Sequence, residues 1–371
     1  MHVAIVCRAL GGAGAVASVA MRQARELTRH AQVTLVSDTF PEDTHGMVRA
    51  RVRLPDLYSL RRFRHVPDEV LFGRGARVVL QSLHKPDFIL VHAHSAAHIG
   101  TRGLGILVGF FVHGDIFERP KGTYDPRLTA FYRWIAPRAY RSADVVFVVA
   151  PHLADVVRRH GARRVEVVPN GIDLHDLGID VPVVRTSSRP LRLISVGRLS
   201  IEKGVDDLVA AMRNVHDAEL TIAGSGALET GLRGAAADLP HVQFLGSVPR
   251  SSLGRLYSEH DVFITATLSE GFALVVLEAL ACGLPVIATN IDANRAVVRD
   301  GENGLLVPPG DPLALANAIE MLARDEELRA RLASNAHASV LPQYNWTAIG
   351  DRIAEIMMEC GGKAGSFAAA P

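Results

Sequence analysis

Short apolar runs alternate with helical patterns along most of this chain, at residues 3–6, 33–36, 88–91, 106–112, 145–149 and 165–168. A second series follows at 191–196, 219–223, 242–245, 262–265, 285–288 and 305–307. Unbroken apolar runs are strands covered on both faces, and the helices between them are the crossovers that parallel pairing demands. The expected fold is therefore α/β, a doubly wound parallel sheet built twice. Between the series lie Pro169-Asn170-Gly171-Ile172-Asp173 and a polar stretch to Pro190 that contains Pro182 and Thr186-Ser187-Ser188, which reads as a linker. The boundary is expected at 175–190, with one Rossmann-like domain over 1–180 and another over 190–344. Helical patterns at 313–322, 326–340 and 346–358 close the chain, with Gly361 to Ser366 as a frayed tail. Two such sheets would offer the carboxyl ends of their strands to a shared cleft.

Composition narrows the functional classes. A chain of 371 residues with 48% hydrophobic and 21% charged residues is that of a soluble globular protein of two or three domains. Cys7, Cys282 and Cys360 are far apart and lack CxxC spacing, so neither a disulfide framework nor a zinc ribbon is expected, and a cytoplasmic setting is. The first seven residues read as a strand rather than a signal peptide, and the run 106–112 is far too short to span a bilayer. The net charge of +1 hides an asymmetry: residues 1–185 hold 25 Lys and Arg against 17 Asp and Glu, leaving 15 against 22. The excess gathers at Arg49, Arg51, Arg53, Arg61, Arg62 and Arg64 and at Arg158, Arg159, Arg163 and Arg164. A solvated face, an anionic acceptor and peripheral contact with a membrane all fit it; nucleic acid does not, because aromatic residues for base stacking are sparse.

Several segments carry candidate chemistry. In Ser269-Glu270-Gly271-Phe272-Ala273-Leu274-Val275-Val276-Leu277-Glu278, a carboxylate sits in a helix that is apolar all round, so Glu278 needs a partner. Were the helix to start at once, Glu270 and Glu278 would lie roughly 12 Å apart and about 80° around its axis. That is too far for a glycosidase carboxylate pair and suits two ends of one elongated ligand. Gly197-Arg198-Leu199-Ser200-Ile201-Glu202-Lys203-Gly204 follows a strand and precedes a helix, so Arg198, Lys203 and the helix amides could grip a diphosphate without metal; the alternative is a plain turn with solvated charges. Gly11-Gly12-Ala13-Gly14 holds the equivalent place in the first half, either for close packing or for phosphate or sugar, and matches neither the dinucleotide nor the Walker pattern. His113 ends a strand, where it could hydrogen-bond a sugar or be structural. His92 and His94, with His98 four residues on, could face one way from a strand and bind zinc, although no HExxH or DxD accompanies them.

Taken together and in order, these segments resemble the retaining glycosyltransferases of family 4, which have the two-domain GT-B fold. The likeness runs over nearly the whole chain through Gly11-Gly12, His92-Ala93-His94-Ser95, His113, Asn170-Gly171-Ile172-Asp173, Gly197-Arg198-Leu199, Glu202-Lys203-Gly204 and Ala223-Gly224-Ser225-Gly226. It continues through Phe244-Leu245-Gly246-Ser247-Val248, the Glu-x7-Glu segment 270–278 and Gly283-Leu284-Pro285-Val286-Ile287. The resemblance implies that Arg198 and Lys203 hold a donor diphosphate, that Glu278 takes the ribose hydroxyls and that Glu270 contacts the donor sugar. It further implies backbone contacts from Gly271, Phe272, Ala273, Leu274 and Val275, donor-side roles for Gly11, Gly12, Gly197 and Gly224, a nucleobase contact near Val248, and His113 as the sugar-contacting catalytic histidine. Tyr344-Asn345-Trp346 is similar to the start of the helix that returns to the first domain, so 345–362 is expected there. Two departures stand out: Ala273 replaces a frequent glycine, and Asp292-Ala293-Asn294-Arg295-Ala296 replaces a Gly-Gly-x-x-Glu pattern.

The implied activity is metal-independent transfer of a hexosyl group, with retention, from a nucleoside-diphosphate sugar to a small-molecule or lipid-linked hydroxyl acceptor. No cofactor is implied. A UDP-sugar is the expected donor, with GDP- and ADP-sugars left open. The alternatives are a GT-B epimerase or phosphorylase acting on the donor, a metal-dependent hydrolase using His92 and His94, and a sugar-binding protein without catalysis.

Overall fold

The computed structural model describes residues 1–12, 14–54, 66–117, 126–178, 190–340 and 343–362. Ala13 of the glycine loop, Arg61, Arg62 and Arg64 of the basic group, the linker residues Pro182 and Thr186-Ser187-Ser188 and the tail from Lys363 lie outside the described residues. The chain divides into two compact units, one of residues 1–117, 126–170 and 346–362 and one of residues 171–345.

In the first unit, β1 (His2–Val6), β2 (Gln32–Ser37), β3 (Val48–Arg51), β4 (Phe88–Val91), β5 (Leu107–Val112), β6 (Val145–Val148) and β7 (Val165–Val167) form a sheet in the order β3-β2-β1-β4-β5-β6-β7. Every pairing in it is parallel, and β4 and β6 are buried along their whole length, as continuous Val, Ile, Leu and Phe require. Helices α1 (Ala15–Leu27), α2 (Val66–Ser82), α3 (Pro126–Ser142) and α4 (Pro151–Arg159) make the crossovers. Strand β3 has no counterpart in the expected series, because Val-Arg-Ala-Arg carries charge where a central strand carries apolar residues. It is the exposed edge, and a charged edge resists pairing with other chains. Several residues of the basic groups make local contacts: Arg49 donates to Thr44 Oγ1 at 3.1 Å, Arg158 pairs with Asp155 at 3.3 Å and Arg164 pairs with Glu166 at 3.0 Å.

The chain enters the second unit at Gly171, ahead of the expected 175–190. Asp173 accepts from the His175 amide at 3.0 Å and caps a single 3-10 turn, Leu174–Leu177, which packs on a second such turn, Arg250–Ser252. Strands β8 (Leu191–Val196), β9 (Ala218–Ala223), β10 (Val242–Gly246), β11 (Val262–Thr265), β12 (Val286–Thr289) and β13 (Gly304–Val307) are again all parallel, in the order β10-β9-β8-β11-β12-β13. Around them lie α5 (Val205–Met212), α6 (Glu229–Ala235), α7 (Leu253–Ser258), α8 (Leu274–Ala281), α9 (Asp292–Arg295), α10 (Pro312–Arg324) and α11 (Glu326–Val340). Leu193, Leu220, Ile264 and Ile287 of the sheet pack with Leu208, Met212, Ile319 and Leu322 in one core. Full burial of each such side chain stabilises the unit by about 1.5–3 kcal/mol. The chain then returns to the first unit as α12 (Trp346–Cys360), where Thr347 Oγ1 donates to Glu26 of α1 at 3.3 Å and the His30 ring lies 2.7 Å from Asp351.

Strand order reverses between β1 and β4 in one sheet and between β8 and β11 in the other, so the loops leaving these strands flank the crevice where doubly wound sheets bind ligands. Those loops contain residues 8–12 and 92–95 in the first unit and 197–204 and 266–273 in the second. No helix among the described residues is long and apolar enough to cross a membrane.

Candidate functional site

In the second unit the loop after β8 is locked against its neighbours by backbone alone. Gly197 N donates to Ala223 O at 3.0 Å, Leu199 N to Ser225 O at 3.0 Å and Gly224 N to Gly246 O at 2.7 Å. A Cβ on Gly224 would stand 1.8 Å from Gly197 O, so only glycine lets the β8 and β9 loops approach this closely. Residues Ile201–Lys203 form a 3-10 turn that ends at Gly204, whose φ of 57° starts α5. Leu268 N donates to Glu202 O at 2.9 Å and fastens this turn to the loop after β11.

That link brings Lys203 to Glu270, 67 residues on, with Nζ 2.6 Å from Oε1 and the side chains 16% and 20% exposed. Arg198 stands further out: its side chain is 64% exposed and its Nη2 lies 3.4 Å from Oε1 of the buried Glu202. Two cations and the start of α8 thus belong to loops that leave the same switch point.

The expected helical spacing of Glu270 and Glu278 does not hold. Helix α8 begins at Leu274, and Ser269-Glu270-Gly271 bends ahead of it, so Glu270 belongs to the loop and the estimates of 12 Å and 80° do not describe the pair. Ala273 is fully buried at φ −80° and ψ 66°, a backbone that any L residue adopts, so its methyl does not strain the turn. The first i to i−4 bond is Leu277 N to Ala273 O at 2.9 Å; Leu274 N is taken by Phe272 O at 2.9 Å, and among the described residues the Val275 and Val276 amides have no acceptor a turn earlier. Gly271 and Phe272 are buried, Leu274 and Val275 half-buried, and the Phe272 ring rests on Tyr344 with centroids 6.0 Å apart.

Glu278, buried completely, has the partner its surroundings demand. Arg250 Nη1 lies 2.6 Å from Oε1, an ion pair not aligned as a hydrogen bond, and the Tyr257 hydroxyl donates to Oε2 at 3.3 Å. Burial pushes the Glu278 carboxyl above its ordinary pKa, against the opposing pull of Arg250 and Tyr257. Burial and the neighbouring Glu278 charge push the Tyr257 hydroxyl well up. Arg250 comes from the loop after β10, two residues beyond the half-buried Val248. The sequence points to neither Arg250 nor Tyr257; its one signal is the apolar helix, which demands a partner without naming it.

In the first unit, His113 leaves the end of β5 and its Nε2 lies 2.9 Å from Nδ1 of the buried His92. The expectation that His92 and His94 share a strand face is overturned. Strand β4 ends at Val91, so the alternation rule lapses: His92 meets His113 and Phe111, whereas His94 lies among the rings of Phe110, Tyr132 and Tyr140. Among the described residues no group of three or more His, Cys, Asp or Glu could hold a metal ion. Gly11 and Gly12 sit in the loop after β1, exposed. Gly11 N donates to Thr39 Oγ1 at 3.3 Å, and a Cβ there would stand 2.7 Å from Phe40 O, so this glycine serves close packing of the loop.

Burial lowers the pKa of His113 from 6.5 to about 4, and burial followed by the proximity of His113 lowers that of His92 well below 6.5. Both depressed values mean that the unfolded chain binds protons first. Their contribution to stability is full above pH 6.5 and is lost as pH falls towards 4, by on the order of 2 kcal/mol at pH 5 for His113. Urea denaturation at pH 7.5 and 5.0 should show a smaller acid loss in His113→Leu than in the native chain; equal losses would contradict the assignment.

The departure at 292–296 closes its own loop. Asn294 is buried and its Nδ2 donates to Thr289 O at 2.8 Å and Thr289 Oγ1 at 3.1 Å, while Arg295 Nη1 lies 2.7 Å from Asn290 Oδ1. Thr289 Oγ1 in turn donates to Thr267 O, tying β12 to the loop that carries Glu270.

Comparison with known proteins fits this geometry. The family model for Glycosyltransferase Family 4 matches residues 13–176, and that for Glycosyl transferases group 1 matches residues 182–339. The phosphatidyl-myo-inositol mannosyltransferase of Mycobacterium leprae is 33% identical over 216 residues, which are 55% of this chain and 57% of that protein, so the match spans little more than half of the relative. The sucrose-phosphate synthase of Thermosynechococcus elongatus superposes with a TM-score of 0.83 at 21% identity, over 98% of this chain and all of that one. Anabaena HepE in complex with UDP and glucose superposes with a TM-score of 0.76 at 19% identity, over 97% of this chain and all of that one. These likenesses establish the GT-B fold. With one family model on each half and both switch-point loops in place, the chain belongs to the GT-B glycosyltransferases of the family 4 type.

Proposed function

We propose that the chain transfers a hexosyl group from a nucleoside-diphosphate sugar to a hydroxyl acceptor, with retention of anomeric configuration and without a metal ion. The observation that carries this reading is the meeting of Lys203 and Glu270 at the β8/β11 switch point, beside the amides that open α8. Lys203 and Arg198 bind the diphosphate, Glu270 contacts the donor sugar, Glu278 takes the ribose hydroxyls once the exposed Arg250 side chain that covers it gives way, and the loop at Val248 meets the base. Negative charge grows on the diphosphate as the glycosidic bond breaks. Fixed cations and amide dipoles stabilise that charge more than they stabilise the ground state, which accelerates the step.

His113 hydrogen-bonds the transferred sugar. Retention follows a same-face route in which the departing phosphate helps to deprotonate the acceptor. The donor is a UDP-sugar, a choice supported by the complex of the similarly folded HepE with UDP and glucose. The acceptor is a small molecule or a lipid-linked hydroxyl compound, the latter in keeping with the name of the phosphatidyl-myo-inositol mannosyltransferase relative. The protein works in the cytoplasm, with the basic first half available for peripheral membrane contact.

The test is transfer from anomerically pure UDP-hexoses in the presence of EDTA, with the product linkage read by proton NMR. An α-linked product from an α-linked donor is expected. A β-linked product, or activity that appears only when a divalent ion is restored, would refute the mechanism.

A further inference from the structure

Two imidazoles that face each other through one nitrogen each cannot both present a proton there. His92 Nδ1 and His113 Nε2 are 2.9 Å apart, so one donates and the other accepts. A neutral imidazole carries a single N–H, and the choice of donor fixes the proton on all four nitrogens of the pair. If His113 donated, the proton of His92 would have to sit on its Nε2, which is buried, has no hydrogen-bond partner among the described residues, and belongs to a ring stacked on Phe111 at 5.2 Å. A buried orphan N–H is the costlier and rarer defect; a bare nitrogen lone pair beside an aromatic ring is the lesser one. If His92 donates from Nδ1, its Nε2 is bare, and the proton of the half-buried His113 sits on Nδ1, which is not one of the buried nitrogens left without a partner.

We infer that His92 is a positioning residue that donates from Nδ1 to His113 Nε2 and so forces the proton of His113 onto Nδ1, making His113 a hydrogen-bond donor towards its ligand rather than an acceptor. Both rings then hold the Nδ1–H form. Burial keeps both neutral, in agreement with their lowered pKa values. The packing supports a fixed geometry: His92, Phe111 and His113 form a near-parallel stack, with interplanar angles of 6° for His92 on Phe111 and 21° for Phe111 on His113. Stacking holds the ring planes, and the N–H···N bond holds the rotation within them. The consequence for recognition is specific. A donating Nδ1–H suits a sugar oxygen that accepts, such as a hydroxyl whose own proton is engaged elsewhere.

The role of His113 towards a sugar rests on the function proposed above; the proton positions do not, and the two are tested separately. Protein labelled with 15N in its histidine rings is examined by long-range proton–nitrogen correlation at pH 7.5, the two spin systems being identified by their loss in His92→Phe and His113→Gln. The expected result is a protonated Nδ1 and a bare Nε2 in both rings. A protonated Nε2 in either ring, or a doubly protonated ring, overturns the inference whatever the activity.

The kinetic arm uses His92→Phe, which keeps ring shape and stacking but removes the donor, and His92→Asn, whose amide can replace it. Loss of one neutral hydrogen bond predicts a fall in kcat of about tenfold for His92→Phe with the donor KM nearly unchanged, and recovery of most of that loss in His92→Asn. Unfolding midpoints of both variants are recorded, so that a folding defect is separated from a rate defect. Equal losses in the two well-folded variants would show that His92 only fills space and would overturn its positioning role. Full activity in His113→Ala would instead remove the sugar contact of His113 and leave the proton assignment to the spectra.

Discussion

Replacement of Lys203 by alanine is expected to lower kcat by two orders of magnitude or more while leaving the chain folded. Removal of one well-placed donor from a site of developing charge costs about 3 kcal/mol, on the order of a hundredfold in rate. Lys203 is the better placed of the two cations: its side chain is 16% exposed, whereas that of Arg198 is 64% exposed, and water competes for the latter. Arg198→Ala should therefore cost less, about tenfold. Stability should change by about 1 kcal/mol or less, because Glu270 retains some access to water once its partner is gone. Steady-state kinetics with saturating donor, alongside a thermal melt, checks both halves. A Lys203→Ala enzyme with near-native kcat would remove the proposed leaving-group site.

The second large effect is on stability. Among the described residues, Arg250→Leu leaves the completely buried Glu278 carboxyl with only the Tyr257 hydroxyl as a hydrogen-bond partner. Stripping one partner from a fully buried pair costs about 3–5 kcal/mol; because Arg250 is itself 44% exposed, about 2–3 kcal/mol is expected at pH 7.5. The sign with pH follows. Burial already raises the Glu278 pKa, and without Arg250 it rises further, so the ionised carboxyl disfavours folding above that pKa and the protonated one does not. The deficit of the variant is therefore largest at pH 8 and shrinks as the solution is acidified. The double variant Arg250→Leu, Glu278→Gln should recover most of the loss, because a neutral amide is cheaper to bury than a charge. Urea denaturation of the native chain, both single variants Arg250→Leu and Glu278→Gln, and the double variant measures this. A deficit independent of pH would mean that the Arg250 stem, not its charge, is what matters.

How much of this is legible from sequence depends on whether a residue answers to its neighbours in the chain or to distant ones. The buried strands announce themselves because a strand covered on both faces must be mostly apolar, and β4, β6, β8 and β11 fall at the expected positions, although Arg192 and Ser195 interrupt β8. Strand β12 shifts by one residue past Pro285, which cannot donate to a ladder, although its carbonyl still accepts from Phe263 N at 3.0 Å. Edge strand β3 is invisible because its charges obey solvent rather than core. The need of Glu278 for a partner is also local, since it follows from the helix around it. Arg250, Tyr257 and the Lys203–Glu270 pair are not local; they are set by which strands lie side by side, and no period in the sequence encodes that. The misplacement of Glu270 on a helix arose from carrying the apolar pattern of 274–281 back through Gly271, where the backbone bends instead. His92 and His94 do not share a face for the same reason, because the strand ends at Val91 and the alternation ends with it.

On the proposed function, the carboxyl edge of the second sheet binds a nucleoside diphosphate through Lys203 and Glu278 without a divalent ion. Calorimetric titration of UDP into the native chain, Lys203→Ala and Glu278→Gln, all in EDTA, tests it most directly. The native chain should bind one UDP per chain, and each variant should bind at least tenfold more weakly, the lysine variant through the diphosphate and the glutamine variant through the ribose. Native binding that vanishes in EDTA, or affinities unchanged in both variants, would contradict it.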